Sequence, residues 1–294
     1  MDQPPQELTE RSHPRLFRAN TYVYPVLSRR AGGLSVGINL NPDKGCNFGC
    51  VYCQVDRTKT PQEHFVALPK VIEELAAVLG GLAPGGALWQ APEFCALPPE
   101  KARVADVAFS GDGEPTMFRN FSEVAERCVE VKERAGFSAA KVVLITNATG
   151  LERPEVRKGL EFLDAHNGEV WAKLDAGTPG QFALVNGTKF PFERILNNIL
   201  LCGRARPLAI QSCFLRRHGK GPSHEQISAY IARLKEFVSG GAKIKLVQVY
   251  TVARAPAEAL VSSLENEHID AIARRVREET GLEAAAFYGA VKSY

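Results

Sequence analysis

Short apolar runs rich in β-branched residues alternate along this chain with longer stretches whose apolar positions recur three and four apart. Strands are predicted over residues 34–40, 106–110, 141–146, 169–175, 208–214 and 243–250, with a final one over 282–291. Between them, helices are predicted over 68–79, 121–135, 154–163, 191–201, about 223–238 and 268–280. Val71, Leu75, Val78 and Leu79 share one face of the first helix, which is expected to stop at Gly80-Gly81. Pro154 suits an early helical position, and Ser223 with Gln226 matches a capping box. Ahead of these units, residues 1–18 read as an irregular arm and 21–26 as an edge strand or hairpin. A Pro/Gly-rich insertion containing Trp89 covers 83–99. Six or seven strand–helix units predict an α/β fold of parallel strands with helical crossovers. That fold is either a doubly wound sheet or a barrel. The expected division is 1–33, an N-terminal arm or hairpin, and 34–294, the core with its C-terminal elements.

Composition changes little in this picture. Apolar residues make up 45% and charged residues 23% of 294, as in a globular protein with a substantial core. A net charge of +3 is too small to argue for nucleic acid without clustering. The polar, acidic start has no signal-peptide core. No run nears the roughly 18 apolar residues of a membrane helix, so no membrane and a cytoplasmic setting are expected.

The cysteines change it more. Of seven, Cys46, Cys50 and Cys53 form C-x₃-C-x₂-C, while Cys95, Cys128, Cys202 and Cys213 are scattered. An odd count in a long chain argues against a disulfide framework. Thiolates suit iron–sulfur clusters and zinc. A closed zinc site needs four ligands. Three thiolates on a four-iron cubane leave one iron open to chemistry. The loop follows the strand at 34–40, and Gly45 and Gly49 allow it to turn tightly.

Polar residues gather at the ends of the later strands. Gly111, Asp112, Gly113 and Glu114 follow the second strand, the glycines leaving backbone open and the carboxylates suiting an ammonium group. Read alone, the same run is a turn with solvated acids. Asn147 ends the third strand. Lys173 and Asp175 alternate with Leu174 and share a face at the end of the fourth, placed either to meet a ligand or to pair with each other. Gln211 lies on the fifth, on the same face as Cys213. In βα barrels such C-terminal strand ends line the active site. The histidines read as surface or capping residues, and the four scattered cysteines as buried or incidental. A basic stretch, Arg204, Arg206, Arg216, Arg217, His218 and Lys220, reads as a solvated face or as a contact for RNA phosphates.

The three-cysteine motif, with Tyr52 before its last member, resembles the signature of the radical S-adenosylmethionine (SAM) superfamily. The phrases at 109–116 and 145–148 look like those of its wyosine-type tRNA-modifying (4-demethylwyosine synthase-like) members, although residues 1–45 lack the cysteines of their second cluster. The resemblance implies a partial (β/α)₆ TIM-like barrel of parallel strands. It also implies a [4Fe–4S] cluster on Cys46, Cys50 and Cys53, and SAM bound through Tyr52, Gly111, Asp112, Gly113, Glu114, Asn147, Lys173, Asp175 and Gln211. Glu114 is favoured for the amino group of SAM. The implied activity is reductive SAM cleavage to a 5′-deoxyadenosyl radical that abstracts hydrogen from a tRNA base, a protein (as in glycyl-radical activation) or a small metabolite. Flavodoxin or ferredoxin would supply the electron. The alternative of another class is a non-enzymatic iron–sulfur redox sensor. No residue is assigned to the hydrogen transfer itself.

Overall fold

The computed structural model describes residues 8–9, 17–55, 67–95, 97–254, 256 and 258–289. Most of the predicted arm and the end of the last predicted strand lie outside them. The chain divides into two compact units. One comprises Met1–Gly45, Thr60–Ile145 and Arg153–Glu169, the other Cys46–Lys59, Thr146–Glu152 and Val170–Tyr294.

In the first unit, β1 (Val23–Ser28) pairs antiparallel with β2 (Gly33–Ile38), realising the hairpin reading. After α1 (Leu68–Leu82), β3 (Val104–Phe109) lies parallel to β2. After α2 (Phe121–Arg134), β4 (Lys141–Thr146) lies parallel to β3, and α3 (Pro154–Asp164) packs on α2. The strands are almost wholly apolar inside because both faces of a parallel sheet are covered. The helix α1 does not stop at Gly80-Gly81. It continues to Leu82, which is buried, and the bare Gly81 lets Leu88 of the following turn pack where a side chain would clash. Buried Glu74 on α1 accepts the backbone N–H groups of Thr21, Tyr22 and Val23, which seats the start of β1 against that helix.

A second buried carboxylate, Asp106 on β3, accepts a short hydrogen bond from the Ser35 hydroxyl. Burial pushes its pKa from the ordinary 3.8 to about 6. Ser35 opposes the rise, Glu169 adds to it, and Lys141 and Arg30 oppose it. The folded state therefore holds this proton more tightly than the unfolded chain. Stability linked to Asp106 is full below about pH 4 and falls by about 3 kcal/mol as pH rises through about 6. Asp106→Asn should remove that fall. Urea unfolding of both proteins from pH 4 to 7 should show the variant gaining about 3 kcal/mol relative to the parent. Parallel pH curves would refute the assignment.

In the second unit, which takes β5 (Gly168–Lys173) from Val170 on, that strand runs parallel to β6 (Leu208–Cys213) after α4 (Pro179–Asn186) and α5 (Phe192–Ala205). A short strand, β7 (Leu215–Arg217), and α6 (His224–Ser239) follow; α6 opens with the predicted capping box. Next, β8 (Ile244–Tyr250) is parallel to β6. Then come β9 (Val261–Ser263), α7 (Asn266–Thr280) and β10 (Ala284–Phe287), the last parallel to β8. β7 and β9 form a separate antiparallel pair. The α/β class is as predicted. The pair β7–β9 and the helix α4 were not predicted.

Candidate functional site

The cysteine loop is held from α4. The C-terminal end of that helix lies along the loop like a short strand: Gly49 N–H reaches the Asn186 carbonyl at 3.1 Å, and Val51 N–H reaches that of Val185 at 3.0 Å. This approach requires Gly187, which has φ +55° and whose missing Cβ would lie 2.2 Å from the Gly49 carbonyl oxygen. Within the loop, Cys53 N–H bonds the Cys50 carbonyl at 2.9 Å, closing a turn between two of the three cysteines. The edge-on pair of Phe48 with Phe182 also anchors the loop to α4.

Asp175, just beyond β5, is the hub of the polar contacts. It is buried, and each oxygen is engaged. Oδ2 accepts from the Tyr52 hydroxyl at 2.5 Å and from Asn186 Nδ2 at 2.8 Å, while Oδ1 accepts Cys213 N–H at 2.8 Å. Lys173 Nζ stands 3.8 Å from Oδ1, 2.6 Å from the Tyr250 hydroxyl, and over the rings of Tyr52 and Tyr250. Burial alone would depress this ammonium's pKa. The Asp175 carboxylate, with Tyr250, Cys213 and Cys50, outweighs that and holds it above the usual lysine value. Lys173 is thus a fixed cation rather than an amine nucleophile. The pairing reading of Lys173 with Asp175 holds, and Asp175 also ties β5 to the cysteine loop and to β6.

The strand periodicity shows which face these groups share. Ser212 bonds Tyr230 of α6, so Gln211 and Cys213 point away from that helix. Gln211 donates to Gln248, its register partner on β8, at 2.8 Å. Its own Oε1 is buried with no hydrogen-bond partner, as is Asn186 Oδ1. Buried acceptors of this kind cost stability unless a ligand donates to them. Burial, then Asp175, raise the Cys50 thiol to about 11, with Lys173, Asn186 and Tyr52 opposing; burial also raises Tyr52.

Asn147 is committed to the same loop from the other side. It donates to Asn47 Oδ1 at 2.8 Å and accepts from the Thr149 hydroxyl, and Asn47 donates back to that hydroxyl at 2.9 Å.

The Gly111–Glu114 run belongs to the first unit. Gly111 has φ +151°, and a Cβ there would strike Asn39; one on Gly113 would lie 1.8 Å from the Gly45 carbonyl oxygen. Both glycines are therefore steric necessities. Asp112 is gripped at both ends by Asn39, which donates to its carboxylate at 2.8 Å and accepts its N–H at 3.1 Å. Glu114, buried, accepts the N–H and hydroxyl of Thr116 and caps a 3₁₀ turn. Sequence reasoning passed over Asn39, Asn47 and Asn186. A signal for Asn186 was present in Thr178-Pro179 opening a helix and Gly187 closing it.

Among the other predicted groups, Cys128, Cys202 and Cys213 are buried and Cys95 is exposed. The arginines of the basic stretch are each engaged within the chain: Arg204 on the Gly240 carbonyl, Arg206 on Cys202, Arg216 on Glu265 and Arg217 on Glu258. Among the described residues no three His, Cys, Asp or Glu side chains converge on a point as they would for a single ion. A cubane takes one thiolate per iron, so its ligands stand apart. Three thiols on one loop, an amide aimed at one of them and orphaned acceptors nearby fit a cluster with SAM. No helix is long and apolar enough to cross a membrane among the described residues.

No family model matches the chain. GTPase Obg of Brachyspira hyodysenteriae is 26% identical over 181 residues, 60% of this chain and 22% of that protein. The UPF0026 protein of Synechocystis is 28% identical over 183 residues, 60% of this chain and 57% of that one. The chain thus spans less than two thirds of either relative's length. Among solved structures, a radical SAM methyltransferase from Sphaerobacter thermophilus superposes over 90% of this chain and 69% of its own, with TM-score 0.59 and 12% identity. TYW1 with a lysine–pyruvate adduct bound superposes over 90% and 86%, with TM-score 0.54 and 14% identity. The chain shares their fold, consistent with a partial TIM-like barrel.

Proposed function

We propose that this chain is a radical SAM enzyme in which Cys46, Cys50 and Cys53 hold a [4Fe–4S] cluster. The observation that carries the reading is the three-thiol loop, braced by Asp175, Tyr52 and Asn186, in a chain with the fold of a radical SAM methyltransferase. When bound, cluster and SAM supply the hard chemistry, reductive cleavage to methionine and a 5′-deoxyadenosyl radical. The chain's residues bind and orient. Lys173, kept charged, pairs with the carboxylate of SAM's methionine part. Gln211 Oε1 accepts from a SAM hydroxyl or amino group, which gives that buried oxygen its missing partner. Asn147 holds the cysteine loop in place.

Flavodoxin or ferredoxin is the proposed electron source, and the cytoplasm the proposed setting. Protein reconstituted with iron and sulfide without oxygen, reduced and given SAM should release 5′-deoxyadenosine, and Cys50→Ala should abolish the release. Cluster-loaded, reduced protein that leaves SAM intact would sink the proposal. The substrate, whether tRNA, partner protein or small metabolite, is the molecule that accelerates this cleavage.

A further inference from the structure

We infer that Asn186 is a positioning residue that tunes the electron affinity of the cluster through the Cys50 sulfur. The inference rests on the proposed cluster site and goes beyond it, because nothing in the cysteine motif points to this residue. Asn186 lies 136 positions from Cys50, and its Nδ2 stands 3.6 Å from Cys50 Sγ.

The orientation of the amide is fixed by its other contact. The same Nδ2 donates to Asp175 Oδ2 at 2.8 Å. A carboxylate accepts and does not donate, so the NH₂ end must face it. Asp175 is itself pinned by Tyr52 and by the Cys213 N–H, so this constraint does not relax. One N–H is spent on the carboxylate, and the second is directed at the sulfur. The Asn186 side chain is buried and its Oδ1 has no hydrogen-bond partner. An amide left half-satisfied in the interior is costly to keep. Aiming its donor at a sulfur that becomes a thiolate on iron gives a reason for keeping it, since hydrogen bonds to charged acceptors are the stronger kind.

Position and tuning are separable here. The Asn186 carbonyl takes the Gly49 N–H, and that backbone bond survives any substitution at 186. The side chain's two contacts are the Cys50 sulfur and Asp175 Oδ2, and neither carries that backbone bond. Hydrogen bonds to cluster sulfurs help to set the potential. A donor stabilises the more negative, reduced cluster, so removing it makes reduction harder. Because the contact is to Cys50, the iron bound there is affected most, which makes the three ligated irons inequivalent.

The test is a redox titration of the reconstituted, SAM-free protein, followed by the paramagnetic signal of the reduced cluster. Asn186→Leu keeps the branching at Cγ and removes the donor. Its midpoint should fall by about 59 mV, which is tenfold in a one-electron equilibrium. Asn186→Ala should fall similarly, whereas Asn186→Gln and Asn186→Thr, which keep a donor, should stay nearer the parent. A potential that follows side-chain volume instead of the donor overturns the inference, as do equal potentials in all five proteins. Loss of the cluster from both donor-less variants at unchanged melting temperature also overturns it, because anchoring and not tuning would then be the role. Failure of the parent to take up any cluster is a different result and defeats the proposed function itself.

Discussion

Gly113→Ala should cost the protein several kcal/mol and most of its capacity to take up iron and sulfide. The added methyl would sit 1.8 Å from the Gly45 carbonyl oxygen and 2.7 Å from the Asn41 side chain. Neither neighbour yields easily. The Gly45 N–H is bonded to Asp43, the Lys44 N–H to the Asn41 carbonyl, and the Asn41 N–H to Asn39, which also grips Asp112. Overpacking of a tight site typically costs about 1–3 kcal/mol, and a clash with backbone lies at or above the top of that range. Gly45 is bonded to Cys46, so turning its peptide aside also turns the chain leading into the first cysteine. Melting by circular dichroism and iron counting after reconstitution are the two measurements. Gly136→Ala is the control: its φ of +85° strains a side chain, but nothing lies within 4 Å of a Cβ there. Gly113→Ala should lose clearly more stability, and only Gly113→Ala should lose iron. Equal losses would mean that the close approach of Gly113 to Gly45 does not matter.

What the sequence revealed and what it hid divide along a physical line. The strands at β3, β4, β6 and β8 were legible because their apolar runs, such as Val142, Val143 and Leu144, are buried on both faces. The cysteine loop was legible because its three thiols are neighbours in sequence. The partners that hold it were not. Asp175 meets Tyr52 across 123 residues, and Asn186 meets Cys50 across 136. An asparagine in a short helix looks the same in sequence whether it faces water or a thiol. The helix α4 also hides because its apolar residues, Phe182, Ala183, Leu184 and Val185, are consecutive and form no stripe, while Leu184 remains half exposed. The pair β7–β9 was illegible for a related reason: three-residue strands carry too few alternations to read. At 80–82 the helix runs one residue past the paired glycines, and Gly81 makes room for Leu88.

Asp175→Ala should lower the melting temperature by about 10 °C and expose a latent reactivity of Lys173. Removing this buried carboxylate leaves the Tyr52 hydroxyl, the Asn186 amide and the Cys213 N–H without their acceptor, and an ammonium without its counter-charge. Breaking one side of a buried pair costs about 3–5 kcal/mol, which for a chain of this size is roughly 10 °C. Asp175→Asn should do almost as badly. Its one oxygen cannot serve both sides, and its NH₂ would face donors. The effect on Lys173 follows from the two opposing influences on its charge. Burial pushes the ammonium toward neutrality and Asp175 holds it protonated. With Asp175 gone, burial prevails and the pKa falls, so the amine is free to attack a carbonyl at neutral pH. A small aldehyde with borohydride, followed by peptide mass mapping, should therefore mark Lys173 in Asp175→Ala and leave it unmarked in the parent. Asp175→Ala combined with Lys173→Met should recover much of the lost stability, because no uncompensated charge remains inside. Lys173 labelled equally in both proteins, or an Asp175→Ala variant melting within about 2 °C of the parent, would show that this carboxylate neither braces the cysteine loop nor keeps the lysine charged.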